Sequence, residues 1–527
     1  MTSKRAVLYG DPEWANMQGS IADLARTVEG ATGIAPIWDP VAGEYTNISL
    51  AAFLASRRNG RMYGVKIPKS LATECQKTLA NQAIPNPVPS TLLAAGSDQY
   101  RAEGGPFFIL EVNGHIDNDG VPHVTAIQGD GKFTRTPAVG NDVWILAPVL
   151  WWSMTEDASF TELVISDTPM AGLQPQPKAT LPDGTFRPYM LYAKYLLSMT
   201  GSTPRSVSGG LVRTRDVSHN TLRTITKATT TGYSGLTSGD EWYLKTMFLM
   251  KYGTKNSQSI FAGHASYSVQ LNPAIGETGV RRVLVTKAQG AQILIGSTWS
   301  LGDGSSTDRG NVGTRNIFES ARVVSKQDVG DQTSIVFDTA APFNTATTQL
   351  LSVMPWRTGA CDDVPGDGSP YNPLSGAEPF TCQGIEDGLG VYKALMDVIN
   401  SNDGESGWVP YVVADTQKSS TALTADYRAA GPPLPTTGVA GWKYPLYPVA
   451  GSGLLYGADQ GASTTTGLCD GTYTNTMETV GTREWLAFGY LSSGANAGLW
   501  GVDATNSLTS ANWNIASRQS GLSKTPP

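Results

Sequence analysis

The sequence of 527 residues has little cysteine, little charge and no long apolar run. Its four cysteines, Cys75, Cys361, Cys382 and Cys469, are too few and too scattered for a disulfide framework in a chain of this length. Cys361 and Cys382 flank a loop and could form a disulfide bond, although two buried free thiols are favoured. Because no stretch reaches about 18 apolar residues, we expect no membrane-spanning helix and no membrane insertion.

The charge and the N-terminus exclude further classes of protein. Charged residues make up 16% of the chain and the net charge is −7, which argues against binding to nucleic acid because such surfaces are usually basic. Two basic residues at the N-terminus are followed by no apolar stretch, so we expect no cleaved signal peptide. The four histidines include no HxxxH pair and no CxxC occurs, so we expect no metal site of the zinc type.

Glycine and proline are abundant, with 58 and 32 residues, which favours a turn-rich and strand-rich globular protein. A chain of this length predicts two to four domains. We divide it into an N-terminal attachment or oligomerisation module (1–90), a β-rich middle domain (91–200) and a C-terminal domain (201–527). In the first segment, apolar spacing predicts helices at residues 16–29 and 50–56 and an extended run at 61–67.

Patterns in the rest of the chain predict further elements. Residues 107–112 and 122–128 flank a Gly/Asn/Asp turn and predict a β-hairpin. Residues 142–151 and 161–166 are predicted as strands of that same sheet, and a short strand is predicted at 293–295. Helices are predicted at 240–252, where Asp240 can cap the N-terminus, and at 390–401.

Residues 484–521 carry the most informative pattern, since Trp485, Trp500 and Trp513 recur among small and amide residues. Large aromatic rings can pin a backbone, and short polar side chains between them can form a hydrogen-bonding surface. This pattern indicates a binding face on a rigid frame rather than an active site.

Two segments carry a resemblance to a known fold. Residues 382–400 (CQGIEDGLGVYKALMDVIN) resemble the "RGIEN-xxGN-VWEWVDG" segment of the formylglycine-generating-enzyme-like branch of the C-type lectin fold. The matching residues are Gly384, Ile385, Glu386, Gly390, Val391 and Asp397, whereas residues 393–395 depart from the family's Trp-Glu-Trp. Trp513, Arg518 and Ser520 resemble the closing strand of the same domain.

The resemblance extends over roughly residues 60–521, through residues 100–152, 165–169 and 256–259. These segments look like bacteriophage tail or fibre receptor-binding proteins that end in a C-type-lectin-like domain. The fold class implied is α+β and multi-domain, with a helix-containing N-terminal module, a β-rich middle domain and a C-terminal C-type-lectin-like domain. Such proteins commonly form homotrimers.

The function that the resemblance implies is non-catalytic binding of a bacterial cell-surface receptor, protein or glycan, by a phage particle. The chain would lie in the virion beside other tail proteins, after synthesis in the host bacterial cytoplasm. A purely structural virion component and a glycan depolymerase are the alternatives. The related enzymes use a C-terminal cysteine pair, but only Cys469 lies beyond residue 382, so we expect no catalysis of that kind. The resemblance implies no cofactor, and it leaves open whether a structural calcium ion is bound.

Some members of this family are diversified by retroelements in their last strands and loops, and residues 483–521 resemble such a variable region. The receptor-binding candidates are Asn496, Trp500, Asp503, Thr505, Asn506, Ser507, Ser510, Asn512 and Asn514. The scaffold candidates are Gly384, Ile385, Glu386, Trp485, Trp513 and Arg518. Trp500, between Gly498 and Gly501, is predicted to be an exposed anchor whose loss lowers adsorption without lowering the melting temperature. Arg518 is predicted either to pair with Glu484 or Asp503 or to bind the receptor.

Overall fold

The fold is β-rich, which makes the predicted α+β class wrong. The structure, a computed structural model, describes residues 36–101, 105–181, 183–212, 217–228 and 230–522. The α-helices in this part of the chain are Asn47–Arg57, His219–Thr226, Ser238–Tyr252 and Lys287–Gln292. Short 3-10 helices lie at Ala80–Ala83, Ser257–Ser259, Val312–Thr314, Thr416–Lys418 and Gly494–Asn496. The helix predicted at residues 16–29 lies outside the described residues.

Two sheets form the first part of the described chain. The first sheet has the strand order Trp38–Asp39, Glu44–Tyr45, Pro122–Ile127, Leu110–Ile116, Asp142–Ala147 and Met190–Ala193. The second has the order Gln174–Pro175, Trp151–Glu156, Phe160–Ser166, Met62–Pro68 and Gln76–Leu79. The predicted hairpin is therefore confirmed, and Asp142–Ala147 shares its sheet as predicted, but the prediction that residues 161–166 lie in that sheet is wrong. Residues 148–150 interrupt the strand predicted at 142–151, and after them the chain enters the second sheet.

The hairpin of the first sheet carries a pair of stacked histidines. The carboxylate of Asp117 accepts hydrogen bonds from the backbone N–H of Asp119 (2.9 Å) and Val121 (2.8 Å), which forms the turn. The rings of His115 and His123 stack at 4.9 Å between centroids on the strands beside it. His123 also contacts Glu44 through Nδ1 (2.8 Å) and Asp117 through Nε2 (3.2 Å). The ring therefore links the edge strand Glu44–Tyr45 to the hairpin.

The contacts of His123 predict a pH-dependent stability. Burial alone would lower the pKa of His123, but the hydrogen bonds to Asp117 and Glu44 outweigh it and raise the pKa. Because the folded pKa is raised, this stabilisation is complete below the unfolded pKa and is lost as pH rises through the folded value. We expect the free energy of unfolding to fall more between about pH 6 and pH 8 in the wild type than in His123→Gln. Parallel pH profiles from urea denaturation would contradict this.

The helix Ser238–Tyr252, which we call the central helix, is buried on nearly all sides. Its N-terminus has a capping box between Thr237 and Asp240, and it ends at Gly253, which has a left-handed backbone (φ 60°). These local signals explain why the helix predicted at 240–252 is confirmed. Trp242 lies 5.3 Å from Trp152 and Tyr243 lies 4.1 Å from Tyr192, measured between ring centroids.

Contacts also cross the predicted domain boundaries. Met62–Pro68 pairs with Phe160–Ser166 along its whole length. Lys251 of the central helix pairs with Asp98 at 2.6 Å and also contacts Asp367. The division at residues 90 and 200 stays a prediction, and these contacts weigh against it.

A third sheet occupies the region between the central helix and residue 355. Its strand order is Gln270–Leu271, Leu350–Val353, Thr298–Gly302, Phe318–Val329, Gln332–Phe337 and Arg282–Thr286. The strand predicted at 293–295 is wrong. Those residues follow the helix Lys287–Gln292, and Ile293 is buried in the core of this sheet as part of a loop.

The fourth sheet contains the C-terminal segment of interest. Its strand order is Tyr427–Ala429, Val409–Val413, Tyr392–Asn402, Gly481–Ala487, Val502–Ala504, Thr472–Thr474 and Gly441–Lys443, with Ile515–Ala516 beside Tyr392–Asn402. The helix predicted at 390–401 is therefore wrong. Tyr392–Asn402 is a central strand buried on both faces, so it lacks the alternation that would distinguish it from a helix.

Four two-stranded pairs complete the fold. They are Ser198–Thr200 with Thr203–Arg205, Tyr233–Gly235 with Gln519–Gly521, Phe380–Cys382 with Ile385–Asp387, and Tyr447–Gly451 with Leu454–Ala458. The second pair fixes the C-terminal strand beside the residues that precede the central helix.

Candidate functional site

The three tryptophans of residues 484–521 differ in their exposure. Trp485 is fully buried and meets Tyr456 edge-to-face at 6.1 Å between ring centroids. Trp513 is half-buried, with its ring 5.9 Å from that of Tyr490 and 5.7 Å from the guanidinium carbon of Arg309. Trp500 is 1% exposed, so the prediction that it is an exposed anchor is wrong.

A buried carboxylate explains why Trp500 points inward. Asp470 accepts hydrogen bonds from the backbone N–H of Trp500 (3.0 Å) and from Ser257 Oγ (2.8 Å). Gly498 has φ +139°, and a Cβ there would lie 2.2 Å from Asp470. Gly498 therefore allows a close approach of the backbone to Asp470, and Gly501 allows one to the carbonyl of Phe488, instead of exposing the ring. Burial raises the pKa of Asp470 to about 7, although these hydrogen bonds act to lower it.

The nine predicted contact residues have different degrees of burial. Asn512 is exposed, Trp500 and Asn514 are buried, and the remainder are half-buried: Asn496, Asp503, Thr505, Asn506, Ser507 and Ser510. All of them except Trp500 and Asn514 form two groups. Asn496, Asp503 and Thr505 lie on or beside the strands Thr472–Thr474 and Val502–Ala504 of the fourth sheet, and Asn506, Ser507, Ser510 and Asn512 belong to the loop 505–514.

The first group lies beside aromatic rings that the sequence reasoning missed. Trp442 lies opposite Tyr473, with ring centroids 5.0 Å apart, and Tyr473 lies opposite Asp503 on the next strand. Paired residues share a face of the sheet, so these three half-buried side chains form a row. The carboxylate of Asp503 also accepts from Thr505 Oγ1 at 2.6 Å.

Asn496 lies next to this row, because it and Trp442 contact the same glycine, Gly471. The hydroxyl of Tyr444 donates to Oδ1 of Asn496 at 2.5 Å. A Cβ at Gly471 would lie 2.6 Å from the Trp442 ring and 3.3 Å from the Asn496 side chain, so both side chains pack on this glycine. We call this group the aromatic–amide face: Trp442, Tyr444, Tyr473, Asn496, Asp503 and Thr505. The density of aromatics in residues 441–448 (GWKYPLYP) is the signal that could have indicated it.

The loop 505–514 is held by its own hydrogen bonds and by the helix His219–Thr226. The backbone N–H of Ser507 donates to Ser510 Oγ at 3.1 Å. The backbone N–H of Asn220 donates to the carbonyl of Leu508 at 3.2 Å, and Leu508 is buried. The polar side chains of this loop therefore sit on a fixed backbone.

The remaining predicted scaffold residues lie in the interior. Glu386 accepts from the backbone N–H of Gly359 and Cys361, each at 2.9 Å, and burial raises its pKa to about 7. Ile385 is buried beside it. Gly384 has φ +77°, and a Cβ there would lie 2.8 Å from Ile145.

Arg518 is buried, and its guanidinium donates to the carbonyls of Ala193 (3.0 Å), Lys194 (2.8 Å) and Glu386 (2.6 Å). The prediction that it pairs with Glu484 or Asp503 is wrong, and its burial also contradicts a direct receptor contact. Its carboxylate neighbour is Asp387, at 4.0 Å.

The four cysteines are free thiols, so the open pairing of Cys361 with Cys382 is not formed. Burial raises the pKa of both thiols well above the ordinary value. Within the described ranges, no group of three or more His, Cys, Asp or Glu side chains is placed to hold a metal ion. The described helices include none that is both long and apolar enough to cross a bilayer.

No protein-family model matches the chain, and no curated protein matches it.

Proposed function

We propose that this chain is a phage virion protein that binds a bacterial cell-surface receptor, without catalysis, through the aromatic–amide face and the adjoining loop 505–514. The observation that carries the proposal is the row of Trp442, Tyr473 and Asp503, half-buried on one face of a sheet. Partly exposed aromatic rings beside hydrogen-bonding groups are typical of binding hot spots. The resemblance of residues 382–400 and 513–521 to the C-type lectin fold also supports it, as does that of residues 100–152, 165–169 and 256–259 to phage receptor-binding proteins.

The frame behind this face suits recognition. Asp470 fixes residues 498–500 beneath it, and Gly471 holds Trp442 against Asn496. A rigid surface loses little conformational freedom on binding, which favours affinity. Several copies on one particle would multiply a weak single-site affinity by about 10²–10⁴.

Replacing Trp442 by alanine is expected to weaken cell binding by about 5–30-fold, because a hot-spot aromatic contributes about 1–2 kcal/mol or more. The measurement is flow cytometry of the labelled full-length chain on a panel of bacterial cells. The melting temperature should change little, since Trp442 is half-buried at an edge strand. The control is Phe186→Ala, an exposed aromatic (53%) on the first part of the chain. Equal binding by Trp442→Ala and wild type would contradict the proposal.

A structural virion component is the second candidate, and an exposed apolar surface favours it. Leu92 (42%) and Leu93 (85%) are exposed, and the N–H of Leu92 donates to the carbonyl of Pro370 at 2.9 Å, four residues before the exposed Leu374 (57%). Exposed apolar patches mark contacts with other proteins. Immunogold electron microscopy distinguishes the two roles, since a receptor binder lies at a distal tip. Release of oligosaccharides from host glycans would instead indicate a depolymerase.

A further inference from the structure

Lys178 is a buried amine held in an unusual backbone conformation. The residue is 4% exposed, and its backbone is left-handed (φ +66°), a region that residues other than glycine seldom adopt. Its carbonyl accepts a hydrogen bond from Nε of Arg187 at 3.1 Å. A Cβ at Gly239 would lie 2.9 Å from the Lys178 side chain, so the lysine stem crosses the first turn of the central helix at this glycine. The Nζ atom at its end is enclosed by protein.

The amine of Lys178 faces a buried carboxylate. Its Nζ lies 3.6 Å from Oδ2 of Asp397, which is longer than an ordinary hydrogen bond, and Asp397 is 1% exposed. The contact between Lys393 and Glu241 is closer, at 2.7 Å. Burial lowers the pKa of Lys178, and the attraction of Asp397 offsets this only in part. The Lys178 amine therefore loses its proton more easily than an ordinary lysine, as nucleophilic lysines do.

Two donors of Ser238 hold the Asp397 carboxylate at the N-terminus of the central helix. The backbone N–H of Ser238 donates to Oδ1 at 2.9 Å, and its Oγ donates to Oδ2 at 2.7 Å. A backbone N–H at a helix N-terminus stabilises negative charge on an oxygen. The same N–H would stabilise the oxyanion that forms when a nucleophile adds to Cγ of Asp397.

A second acid, Asp240, lies in the same first turn of the helix. It is partly buried, and its Oδ2 accepts from the backbone N–H of Thr237 at 3.0 Å. Burial raises the pKa of Asp240, although the charge of Lys178 acts to lower it. Asp240 therefore keeps a proton to higher pH than an ordinary aspartate, which suits a group that takes up and returns protons.

We propose that Nζ of Lys178 and Cγ of Asp397 join in an intramolecular amide bond, an isopeptide cross-link. The ammonium proton of Lys178 first passes to Oδ2 of Asp397, which leaves a neutral amine and a carboxylic acid. Nζ then bonds to Cγ while Oδ1 carries the negative charge, and the bond from Cγ to Oδ2 breaks. Asp240 relays one proton from Nζ to Oδ2, which leaves as water. The ion pair thus supplies all the atoms of one amide and one water, and nothing is oxidised or reduced.

The cross-link would join two distant parts of the chain. Lys178 follows the strand Gln174–Pro175 of the second sheet, and Asp397 belongs to Tyr392–Asn402 of the fourth. Such a bond restricts the unfolded chain as a disulfide does, but reducing agents do not break it. The proposal goes beyond receptor binding and does not depend on it, since the bond is measurable on the isolated chain.

The test is intact-mass spectrometry of the purified full-length wild type after denaturation. We expect a mass about 18 Da below that calculated from the sequence, because one water is lost when the covalent bond forms. Protease digestion and tandem mass spectrometry should locate this loss in a branched peptide that contains both Lys178 and Asp397. Lys178→Met should have the full mass of its own sequence. The control is Lys418→Met, which changes an exposed lysine and should show the same loss as the wild type.

The wild-type measurement does not depend on the folding of any variant. A wild type with the full calculated mass would overturn the proposal and leave Lys178 and Asp397 as an ordinary buried ion pair. A loss of water located at an Asp-Gly sequence such as Asp403-Gly404 would overturn it too, because such sequences can lose water by forming a succinimide.

The role of Asp240 has its own variants. Asp240→Asn retains an acceptor for the Thr237 N–H but cannot relay the proton, so a smaller fraction of its molecules should lose water. Asp240→Glu retains the acid and should recover much of that fraction. Equal fractions in Asp240→Asn and the wild type would contradict the proton relay.

Discussion

Replacing Trp500 by alanine is expected to lower the free energy of unfolding by about 3–5 kcal/mol, the usual cost of truncating a buried aromatic ring. Trp500 is 1% exposed and belongs to the apolar cluster that also contains Trp242 and Leu455. The ammonium of Lys245 lies 5.6 Å from the centroid of the Trp500 ring, so the substitution would also remove a cation–π contact. Urea denaturation followed by tryptophan fluorescence and circular dichroism measures the change.

The matched control for Trp500→Ala is Trp442→Ala, which removes a half-buried indole from the edge strand of the fourth sheet. The control should lose much less stability, while cell binding should fall mainly in the control. A Trp500→Ala variant as stable as the wild type would show that the ring is not part of the core.

Replacing Lys393 by methionine is expected to destabilise the fold by about 3–5 kcal/mol, the cost of leaving a buried charge without its partner. Lys393 is 1% exposed, lies 2.7 Å from Glu241 and contacts Asp387 as well. Burial alone would lower the pKa of Lys393, but the charges of Asp387 and Glu241 raise it. In Lys393→Met, Glu241 loses this ion pair, whereas Asp387 keeps Arg518 at 4.0 Å. Urea denaturation of the variant and the wild type measures the loss of stability.

Lys418→Met is the matched control, since Lys418 pairs with Asp426 at 2.8 Å with both side chains largely exposed. A surface pair contributes about 0–1 kcal/mol, so this variant should remain close to the wild type. If both lysine variants lost the same stability, the buried position of Lys393 would not be the cause.

Local signals predicted those elements whose ends are determined by neighbouring residues. The central helix has its capping box at Thr237 and Asp240 and its terminating Gly253 within the predicted segment or beside it. The hairpin has its turn formed by Asp117. Both features depend on contacts within a few residues, which a single sequence displays.

The sequence predicts a helix where the strand Tyr392–Asn402 lies, because the position of this strand in the centre of a sheet depends on partners far along the chain. It pairs with Gly481–Ala487 and Val409–Val413, and both faces are covered. Without solvent on one face there is no period of two, and residues such as Lys393, Ala394 and Leu395 are good helix formers.

The candidate site was predicted in part, for a similar reason. Short polar residues near Trp485 and Trp513 indicated the segment, and Asn496, Asp503 and Thr505 are half-buried on it. The orientation of Trp500 depends on Asp470, 30 residues away, and the aromatic–amide face depends on the pairing of Trp442 with Tyr473. A single sequence shows neither pairing, and the receptor role of these residues stays a prediction.

The pairing of Tyr233–Gly235 with Gln519–Gly521 has a consequence for biosynthesis. Leu236 and Ser517, joined by a hydrogen bond of 3.1 Å, are separated by 281 residues. At about 5–20 residues per second, a ribosome needs about 15–60 s to make the chain between them. During that interval the nascent protein exposes the edge that the late strand will cover, so a chaperone that shields this edge should increase the yield of native protein.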